Sequence, residues 1–192
     1  MTKIFFFDLD GSLRQTKSGA TFISFPEDQK PIAGAEKAVA YYQSKGFICV
    51  GITNQGGVAA GHKSLESAIE EQRITLSLFP QLSEIFFCPS WGESCYQVSR
   101  DNEPLPFSAP ESGDSVISCR KPGHGMLLLA SQGFGLDGAW MVGDRPEDKE
   151  CSAAANVNFV SAAVMLAKFT PGMSEIACTH TDPNVLLKFL AL

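Results

Sequence analysis

The first strand-like run of the chain ends in two aspartates that are one residue apart. Residues 4–7 are entirely apolar, and Asp8, Leu9, Asp10 and Gly11 follow them directly. A run of this kind is typical of a buried strand, and side chains alternate along a strand, so Asp8 and Asp10 should point the same way. Two neighbouring carboxylates that lose water need a compensating cation. The strand end therefore predicts a cation-dependent site, with a plain strand and Asp-Gly turn as the alternative.

Length and composition restrict the class of protein. The chain has 192 residues, 44% of them hydrophobic, and a net charge of −6. These values are typical of one globular domain with no broad attraction to nucleic acid or anionic membrane. No signal peptide is recognisable, and no run of about eighteen apolar residues suggests a membrane span. We therefore expect a cytoplasmic protein whose scattered cysteines are reduced thiols (Cys49, Cys88, Cys95, Cys119, Cys151 and Cys178).

Strand-like and helix-like segments alternate along the chain. Strands are predicted at residues 4–7, 47–52, 85–88, 139–142 and 157–160, and helices at 33–45, 65–78, 126–132, 147–155 and 183–190. This alternation predicts an α/β fold, a Rossmann-like three-layer α/β/α domain with a mostly parallel sheet. We expect a single domain over residues 1–192, in which the Pro-, Ser-, Gly- and Glu-rich residues 89–118 form an irregular insertion.

Four polar clusters lie where ligands of such a sheet bind, beyond the C-terminal ends of the strands. They are Asp8/Asp10, Thr53-Asn54-Gln55, Arg120-Lys121-Pro122 and the GDRPED run at 143–148; the third precedes a helix rather than following a strand. Carboxylates form the all-oxygen ligand set that Mg²⁺ prefers. Hydroxyl, amide, lysine and arginine groups suit the oxygens of a phosphate. The clusters together predict phosphoryl chemistry with an aspartate nucleophile.

The order DLDGS, TNQ, RKP and GDRPED resembles the haloacid dehalogenase (HAD) superfamily of aspartate-based phosphohydrolases. The resemblance extends from Ile4 to about Val160. It implies that Asp8 is the nucleophile that becomes an aspartyl-phosphate. It also implies that Asp10 is the general acid that protonates the leaving alcohol and then the base that activates water.

The same resemblance assigns the other candidate site residues. Thr53 is expected to bind a phosphoryl oxygen, and Asn54 beside it is expected to take part in substrate binding. Lys121 is expected to balance charge on the nucleophile and the transferring group, and Arg120 to contact substrate. The ligands implied for Mg²⁺ are the Asp8 carboxylate, the Asp10 backbone carbonyl, and Asp144 and Asp148, directly or through water.

The spacing of the motifs leaves no room for a large cap domain, so we expect an essentially capless enzyme with an open cleft. Two capless groups remain open. Residues 16–22, with TNQ and RKP, resemble the phosphatase domain of polynucleotide kinase 3′-phosphatases, whereas TNQGGVAAG and RKPGHGM resemble histidinol-phosphate and heptose-bisphosphate phosphatases. The main hypothesis is a polynucleotide (DNA) 3′-phosphatase, although the net charge of −6 counts against it. The alternatives are a small-metabolite phosphatase and a catalytically silent HAD-like binding module.

Phosphatases of the histidinol-phosphate and heptose-bisphosphate type carry a structural zinc loop, and this chain departs from it. Cys88 and Cys119 keep the outer ligand positions, but Ser90 and Ile117 replace the other two. Two ligands do not complete a closed zinc site. We therefore expect no structural zinc, with a rearranged site through Cys88, Cys95 and Cys119 as the alternative. The expected partner is a phosphorylated substrate, either a 3′-phosphate nucleic-acid end or a small ester, with no membrane and no obligate protein partner.

Overall fold

The computed structural model describes residues 3–170 and 182–192. The strands in chain order are β1 (Lys3–Phe7), β2 (Arg14–Gln15), β3 (Lys30–Pro31), β4 (Phe47–Asn54), β5 (Leu82–Cys88), β6 (Ser94–Val98), β7 (Leu105–Ser108), β8 (Glu111–Ser112), β9 (Ser115–Val116), β10 (Trp140–Gly143) and β11 (Asn158–Ser161). The helices are α1 (Ala35–Ser44), α2 (Gly56–Ala59), α3 (Leu65–Leu78), α4 (Gly125–Ala130), α5 (Pro146–Ala154), α6 (Ala162–Phe169) and α7 (Pro183–Leu190).

Seven strands form one central sheet in the order β11-β10-β1-β4-β5-β6-β7. The first five in this order are parallel to one another, β6 pairs antiparallel with β5, and β7 pairs antiparallel with β6. Helices pack on both faces of the sheet. The prediction of a Rossmann-like three-layer α/β/α fold with a mostly parallel sheet is confirmed.

The central strand β1 divides the core into two layers because its side chains alternate. Phe5 and Phe7 are completely buried on the face covered by α1, α3, α6 and α7. Ile4 and Phe6 are buried on the opposite face, against α4 and α5. Since β1 pairs with both β4 and β10, the carboxyl ends of these three strands meet at one edge of the sheet.

Local signals explain the bounds of α3, which carries part of the site. Ser64 precedes the helix, and its side chain accepts a hydrogen bond from the Ser67 N–H at 3.1 Å. Such a cap satisfies one of the amides that a helix start leaves unpaired. Pro80 follows shortly after the helix, where it cannot continue it. The predicted bounds of this helix, residues 65–78, are confirmed.

The prediction of an irregular insertion at residues 89–118 was wrong in its secondary structure. β6 and β7 extend the central sheet, and β8 and β9 form a small hairpin. Prolines conceal these strands in the sequence, since Pro104 precedes β7 and Pro106 lies within it. Proline is tolerated there because β7 is an edge strand, where an N–H is not needed for pairing.

Several short elements were not predicted from the sequence: α2, α6 and the two-residue strands β2 and β3. α6 begins at Ser161, whose side chain accepts from the Val164 N–H, and it packs into the core. None of the helices in the described ranges has the length and apolarity needed to cross a membrane. The five cysteines in these ranges are free and buried, whereas Cys178 lies outside the described residues.

Candidate active site

A cleft of about 830 Å³ opens at the carboxyl ends of β1, β4 and β10. The loop before α4 and residues 15–24 also line it. We call residues 15–24 the flap. All the candidate site residues predicted from the sequence line this cleft: Asp8, Asp10, Thr53, Asn54, Arg120, Lys121, Asp144 and Asp148. The four motifs, which are far apart in the chain, therefore converge on one cleft.

Lys121 lies between two carboxylates at the floor of the cleft. Its Nζ donates to Asp8 Oδ1 and to Asp148 Oδ1, both at 2.6 Å, and to the Ile52 carbonyl at 3.1 Å. Only 4% of the lysine is exposed, and burial alone would lower its pKa. The two adjacent carboxylates outweigh burial and raise the pKa of Lys121, so the ammonium stays charged.

Asp8 is buried beside Lys121 and Asp148, and a single lysine does not balance the charge of both carboxylates. Burial raises the pKa of Asp8 to about 7; Lys121 opposes this shift, and the charge of Asp148 adds to it. Ser12 donates to the second carboxylate oxygen, Oδ2, at 2.9 Å. Both oxygens of Asp8 are thus held in a defined orientation at the end of β1.

Three carboxylates meet at this point. Asp8, Asp144 and Asp148 each offer one oxygen, and these oxygens all lie within 4.8 Å of one another. Gly11 has a positive φ of 87°, and a Cβ there would lie 2.4 Å from Asp144 Oδ2, so glycine is required for this approach. An all-carboxylate group with a single lysine fits a hard divalent cation such as Mg²⁺.

The start of α5 fixes Asp148. Its Oδ2 accepts from the Arg145 N–H at 3.1 Å, while Oδ1 accepts from Lys121. A carboxylate in the first turn of a helix is stabilised by the unpaired amides and the helix dipole. A Cβ at Gly143 would lie 2.3 Å from the Asp148 side chain. Residue 143 must therefore be glycine for the end of β10 to pack against Asp148.

Asn54 uses both of its side-chain polar atoms on the main chain of Lys121. Its Oδ1 accepts from the Lys121 N–H at 3.0 Å, and its Nδ2 donates to the Lys121 carbonyl at 3.0 Å. The sequence suggested a substrate contact for this residue. In the structure Asn54 joins the end of β4 to the loop that carries the lysine, and the substrate contact stays a prediction.

Asp10 faces the cleft from above the acidic group, and its side chain is 39% exposed. Arg14 contacts both carboxylate oxygens, with Nε 2.9 Å from Oδ1 and Nη2 3.2 Å from Oδ2. Thr53 and Gln55 donate to Oδ2 at 3.3 and 3.4 Å. Burial would raise the pKa of Asp10, but the Arg14 guanidinium outweighs it and lowers that pKa.

Three polar residues around Asp10 were not predicted as part of the site: Arg14, Lys63 and Glu71. Gln55 belongs to one of the predicted polar clusters but was given no role. Arg14 is the largest fully buried side chain in the described residues, and Glu71 is 1% exposed on α3. The sequence carried no signal for a buried arginine, since Arg14 lies in the mostly polar run at residues 11–17. Its partner could not be identified, because Glu71 is 57 residues away.

Arg120 lies at the wall of the cleft. Its guanidinium carbon is 5.4 Å from the centre of the Trp91 ring, and Trp91 itself is exposed. The other side of the guanidinium faces Gly56, where a Cβ would lie 2.7 Å from Nη1. Arg120 is therefore held between an aromatic ring and backbone while it lines the cleft.

The cysteines of the alternative zinc site are all buried. The neighbouring Cys119 thiol and burial raise the pKa of Cys95, whereas the Cys95 thiol lowers the pKa of Cys119. The Cys88 thiol donates to the Ser90 carbonyl at 3.4 Å. Within residues 3–170 and 182–192, Asp8, Asp144 and Asp148 are the one group of three or more acidic, His or Cys ligands that converges. The expectation that no structural zinc is bound stays a prediction.

The known proteins that resemble this chain in sequence are phosphatases. The family model described as polynucleotide kinase 3 phosphatase matches residues 3–144. D-glycero-beta-D-manno-heptose-1,7-bisphosphate 7-phosphatase of Haemophilus ducreyi is 30% identical over 167 residues, covering 81% of this chain and 79% of that protein. The Escherichia coli K12 enzyme of the same name is 31% identical over 159 residues, covering 79% and 74% of the two chains.

The fold comparison agrees. The crystal structure of D,D-heptose 1.7-bisphosphate phosphatase from B. bronchiseptica, complexed with magnesium and phosphate, superimposes with a TM-score of 0.61. The alignment covers 99% of both chains at 20% identity, which is evidence for the fold alone. With the family match over residues 3–144, these findings establish that the chain belongs to the polynucleotide kinase 3 phosphatase family and is a phosphatase of the HAD superfamily.

Proposed function

We propose that the protein is a Mg²⁺-dependent phosphomonoester hydrolase that acts through an aspartyl-phosphate on a small phosphate ester of the heptose-bisphosphate type. The observation that carries the chemistry is the position of Lys121 Nζ, 2.6 Å from both Asp8 and Asp148, with Asp144 beside them. A nucleophile, a charge-balancing lysine and an acidic cation site therefore occupy one strand end. This combination supports phosphoryl transfer to a carboxylate.

In the proposed mechanism, a carboxylate oxygen of Asp8 attacks the phosphorus, and the bond from phosphorus to the leaving oxygen breaks. The negative charge of the bound phosphate favours protonation of Asp10 and so opposes the effect of Arg14. Asp10 gives the proton that it has taken up to the leaving oxygen, so an alcohol departs. Asp10 then takes a proton from a water molecule, whose oxygen attacks the phosphorus of the aspartyl-phosphate. Inorganic phosphate leaves and the Asp8 carboxylate is regenerated.

The donors around Asp8 suit the charge that this reaction develops. Lys121 lies where it neutralises the nucleophile and an oxygen of the transferring group, and Thr53 offers a hydroxyl to another. The ligands for Mg²⁺ would be Asp8, Asp144, Asp148 and the Asp10 backbone carbonyl. A bound Mg²⁺ neutralises negative charge on the phosphoryl group and the nucleophile.

The small-ester assignment rests on the relatives and on charge. The heptose-bisphosphate phosphatases match this chain over about three quarters or more of both lengths. The net charge of −6 gives no general affinity for a nucleic-acid backbone. These observations favour the small-metabolite alternative of the sequence analysis over its main hypothesis, the polynucleotide 3′-phosphatase.

A polynucleotide 3′-phosphate remains the second candidate because of the family match at residues 3–144 and because of the flap. Phe22 lines the cleft and is 70% exposed, which suits contact with a base or another flat group. Both candidates use the same chemistry at Asp8. They differ only in what lies beyond the phosphate.

The deciding experiment is a substrate panel with Mg²⁺. It compares D-glycero-beta-D-manno-heptose 1,7-bisphosphate, histidinol phosphate, a 3′-phosphorylated oligonucleotide and p-nitrophenyl phosphate by phosphate release, with Asp8→Asn as the blank. We expect the highest kcat/KM for the heptose bisphosphate. A strong preference for the oligonucleotide would replace this assignment by the second candidate. No release from any of the four would favour the silent binding module.

A further inference from the structure

A second buried ion cluster lies directly behind Asp10. We call it the Arg14 cluster; its members are Asp10, Arg14, Lys63 and Glu71. Arg14 is 0% exposed and contacts Asp10 through two nitrogens, Nε and Nη2. A planar guanidinium that contacts both oxygens of a carboxylate fixes the plane of that carboxylate as well as its distance.

The guanidinium is itself fixed from the opposite side by α3 and the segment before β3. Nη2 donates to Glu71 Oε1 at 2.5 Å, and Nη1 donates to Gln29 Oε1 at 3.2 Å and to the Thr75 hydroxyl. Every nitrogen of the guanidinium therefore has an acceptor. An arginine bound on all sides in this way has little freedom to move.

The cluster also reaches the TNQ motif. Gln55 Nε2 lies 3.0 Å from Glu71 Oε1 and 3.4 Å from Asp10 Oδ2, and Lys63 Nζ lies 3.1 Å from Gln55 Oε1. Lys63 also forms an ion pair with Glu71. Two carboxylates and two cations make the cluster neutral, which reduces the desolvation cost of keeping it inside the protein.

We propose that Arg14, held in place by Glu71, is a positioning residue that keeps the Asp10 carboxyl turned toward the leaving oxygen of the substrate. The proposal rests on the proposed role of Asp10 in proton transfer. Asp10 is 39% exposed to the cleft while its far side is occupied by Arg14. Loss of the arginine would let the carboxyl rotate away, and misorientation of a proton donor lowers the rate of the step that uses it.

The proposal predicts dependence on the leaving group. An alkyl phosphate needs a proton on the departing oxygen, whereas p-nitrophenolate leaves readily without one. p-Nitrobenzyl phosphate and p-nitrophenyl phosphate form a matched pair, because they are similar in size and shape but leave as an alkoxide and a stable phenolate. The informative quantity is kcat/KM, which covers the steps up to departure of the leaving group.

We expect Arg14→Leu to lower kcat/KM for p-nitrobenzyl phosphate about a hundredfold, within the usual range for a general acid, and for p-nitrophenyl phosphate only a few-fold. Asp10→Asn should give the same pattern with a larger loss. Arg14→Lys keeps the charge but not the paired contact, so it should recover only part of the loss. Arg73→Leu, a change at a half-exposed arginine on the same α3, is the control and should alter neither substrate.

A double variant separates positioning from stability. Arg14→Leu with Glu71→Leu keeps the cluster neutral, with Asp10 and Lys63 remaining, whereas Arg14→Leu alone leaves one carboxylate in excess. The thermal stability of the double variant should therefore exceed that of Arg14→Leu alone. The selective loss on p-nitrobenzyl phosphate should remain in this folded protein. Equal losses on both substrates, or no loss on either, would overturn the role of Arg14. If Asp10→Asn itself shows no dependence on the leaving group, the proton-transfer role of Asp10 fails and the Arg14 proposal fails with it.

Discussion

Two buried cations at this cleft each lie between two carboxylates, yet their surroundings differ. Lys121 contacts Asp8 and Asp148, and the nearby Asp144 adds a third carboxylate that is exposed to the cleft. Arg14 contacts Asp10 and Glu71. The Arg14 cluster contains no third carboxylate; it contains a second cation, Lys63, which forms an ion pair with Glu71. We call Lys121 with Asp8, Asp144 and Asp148 the lysine group. When all four are ionised its net charge is two units negative, whereas the Arg14 cluster is neutral.

This difference separates two uses of buried charge. A group that lacks two positive charges is stabilised by a divalent cation, and the raised pKa of Asp8 is the expected response when protein cations alone are insufficient. A neutral group needs no further ligand, so it suits a supporting role. The following predictions test this contrast, starting with the largest expected effect.

The largest effect is expected for Asp8→Asn. It should abolish phosphate release, by at least about a thousandfold, because an amide cannot replace the proposed carboxylate nucleophile. EDTA should stop the wild-type protein in the same assay. The fold should persist, since the change removes one negative charge from a group with an excess of them, and circular dichroism checks this. Normal turnover by a folded Asp8→Asn protein would exclude the aspartyl-phosphate mechanism.

Lys121→Met should destabilise the protein more than Arg14→Met. Removal of Lys121 leaves Asp8 and Asp148 buried without their cation, a situation that costs about 3–5 kcal/mol. After removal of Arg14, Glu71 still has Lys63 and Asp10 still reaches solvent, so the loss should be smaller. Urea unfolding at pH 8 without metal measures both free energies of unfolding. The reverse order would show that the charge surplus does not govern stability here.

The affinity for Mg²⁺ should increase with pH through neutrality. A proton and Mg²⁺ compete for the Asp8 carboxylate, whose pKa is raised to about 7 by burial. Below that value the proton must be displaced, so affinity falls as pH falls; between pH 8 and pH 6 the expected decrease is about tenfold. Isothermal titration calorimetry of the protein with MgCl₂ at both pH values gives the ratio. Equal affinities would mean that Asp8 is not a ligand or is already ionised at pH 6.

The smallest effect is expected for Asn54→Ala. It removes two hydrogen bonds to the backbone of Lys121 and leaves those backbone groups without their partners, which should cost about 1–3 kcal/mol of unfolding free energy. Activity should fall about tenfold through misplacement of Lys121. Asn54→Asp keeps one acceptor, for the Lys121 N–H, and serves as the matched control. A larger loss of activity with unchanged stability would instead favour the substrate contact predicted from the sequence.

The sequence predicted all four members of the lysine group but only Asp10 of the Arg14 cluster, for a physical reason. Asp8, Lys121, Asp144 and Asp148 lie in short motifs next to strand ends or helix starts, and the geometry of a parallel sheet brings such positions together. Arg14 and Glu71 meet only because α3 packs against β5 and β6 and turns one face inward. A local pattern cannot show which distant charge will neutralise a buried arginine.

The same limit explains the errors in the fold. Long apolar runs such as β1 and regular helices such as α3 were predicted because hydrophobic periodicity is strong there. β6 and β7 contain polar residues and a proline and form at the sheet edge. Pairing of β6 with β5 and of β7 with β6 decides their conformation. Their existence depends on a tertiary contact rather than on local preference.

The hydrogen bonds between Asn54 and the backbone of Lys121 have a consequence for engineering. They anchor the lysine to β4, a central strand, and not only through the segment between β5 and α4 that carries it. The exposed hairpin of β8 and β9 within that segment can therefore change in length or content while the reactive centre keeps its shape. It offers a place to graft a foreign loop, and recombination among relatives should tolerate exchanges there better than at the flap.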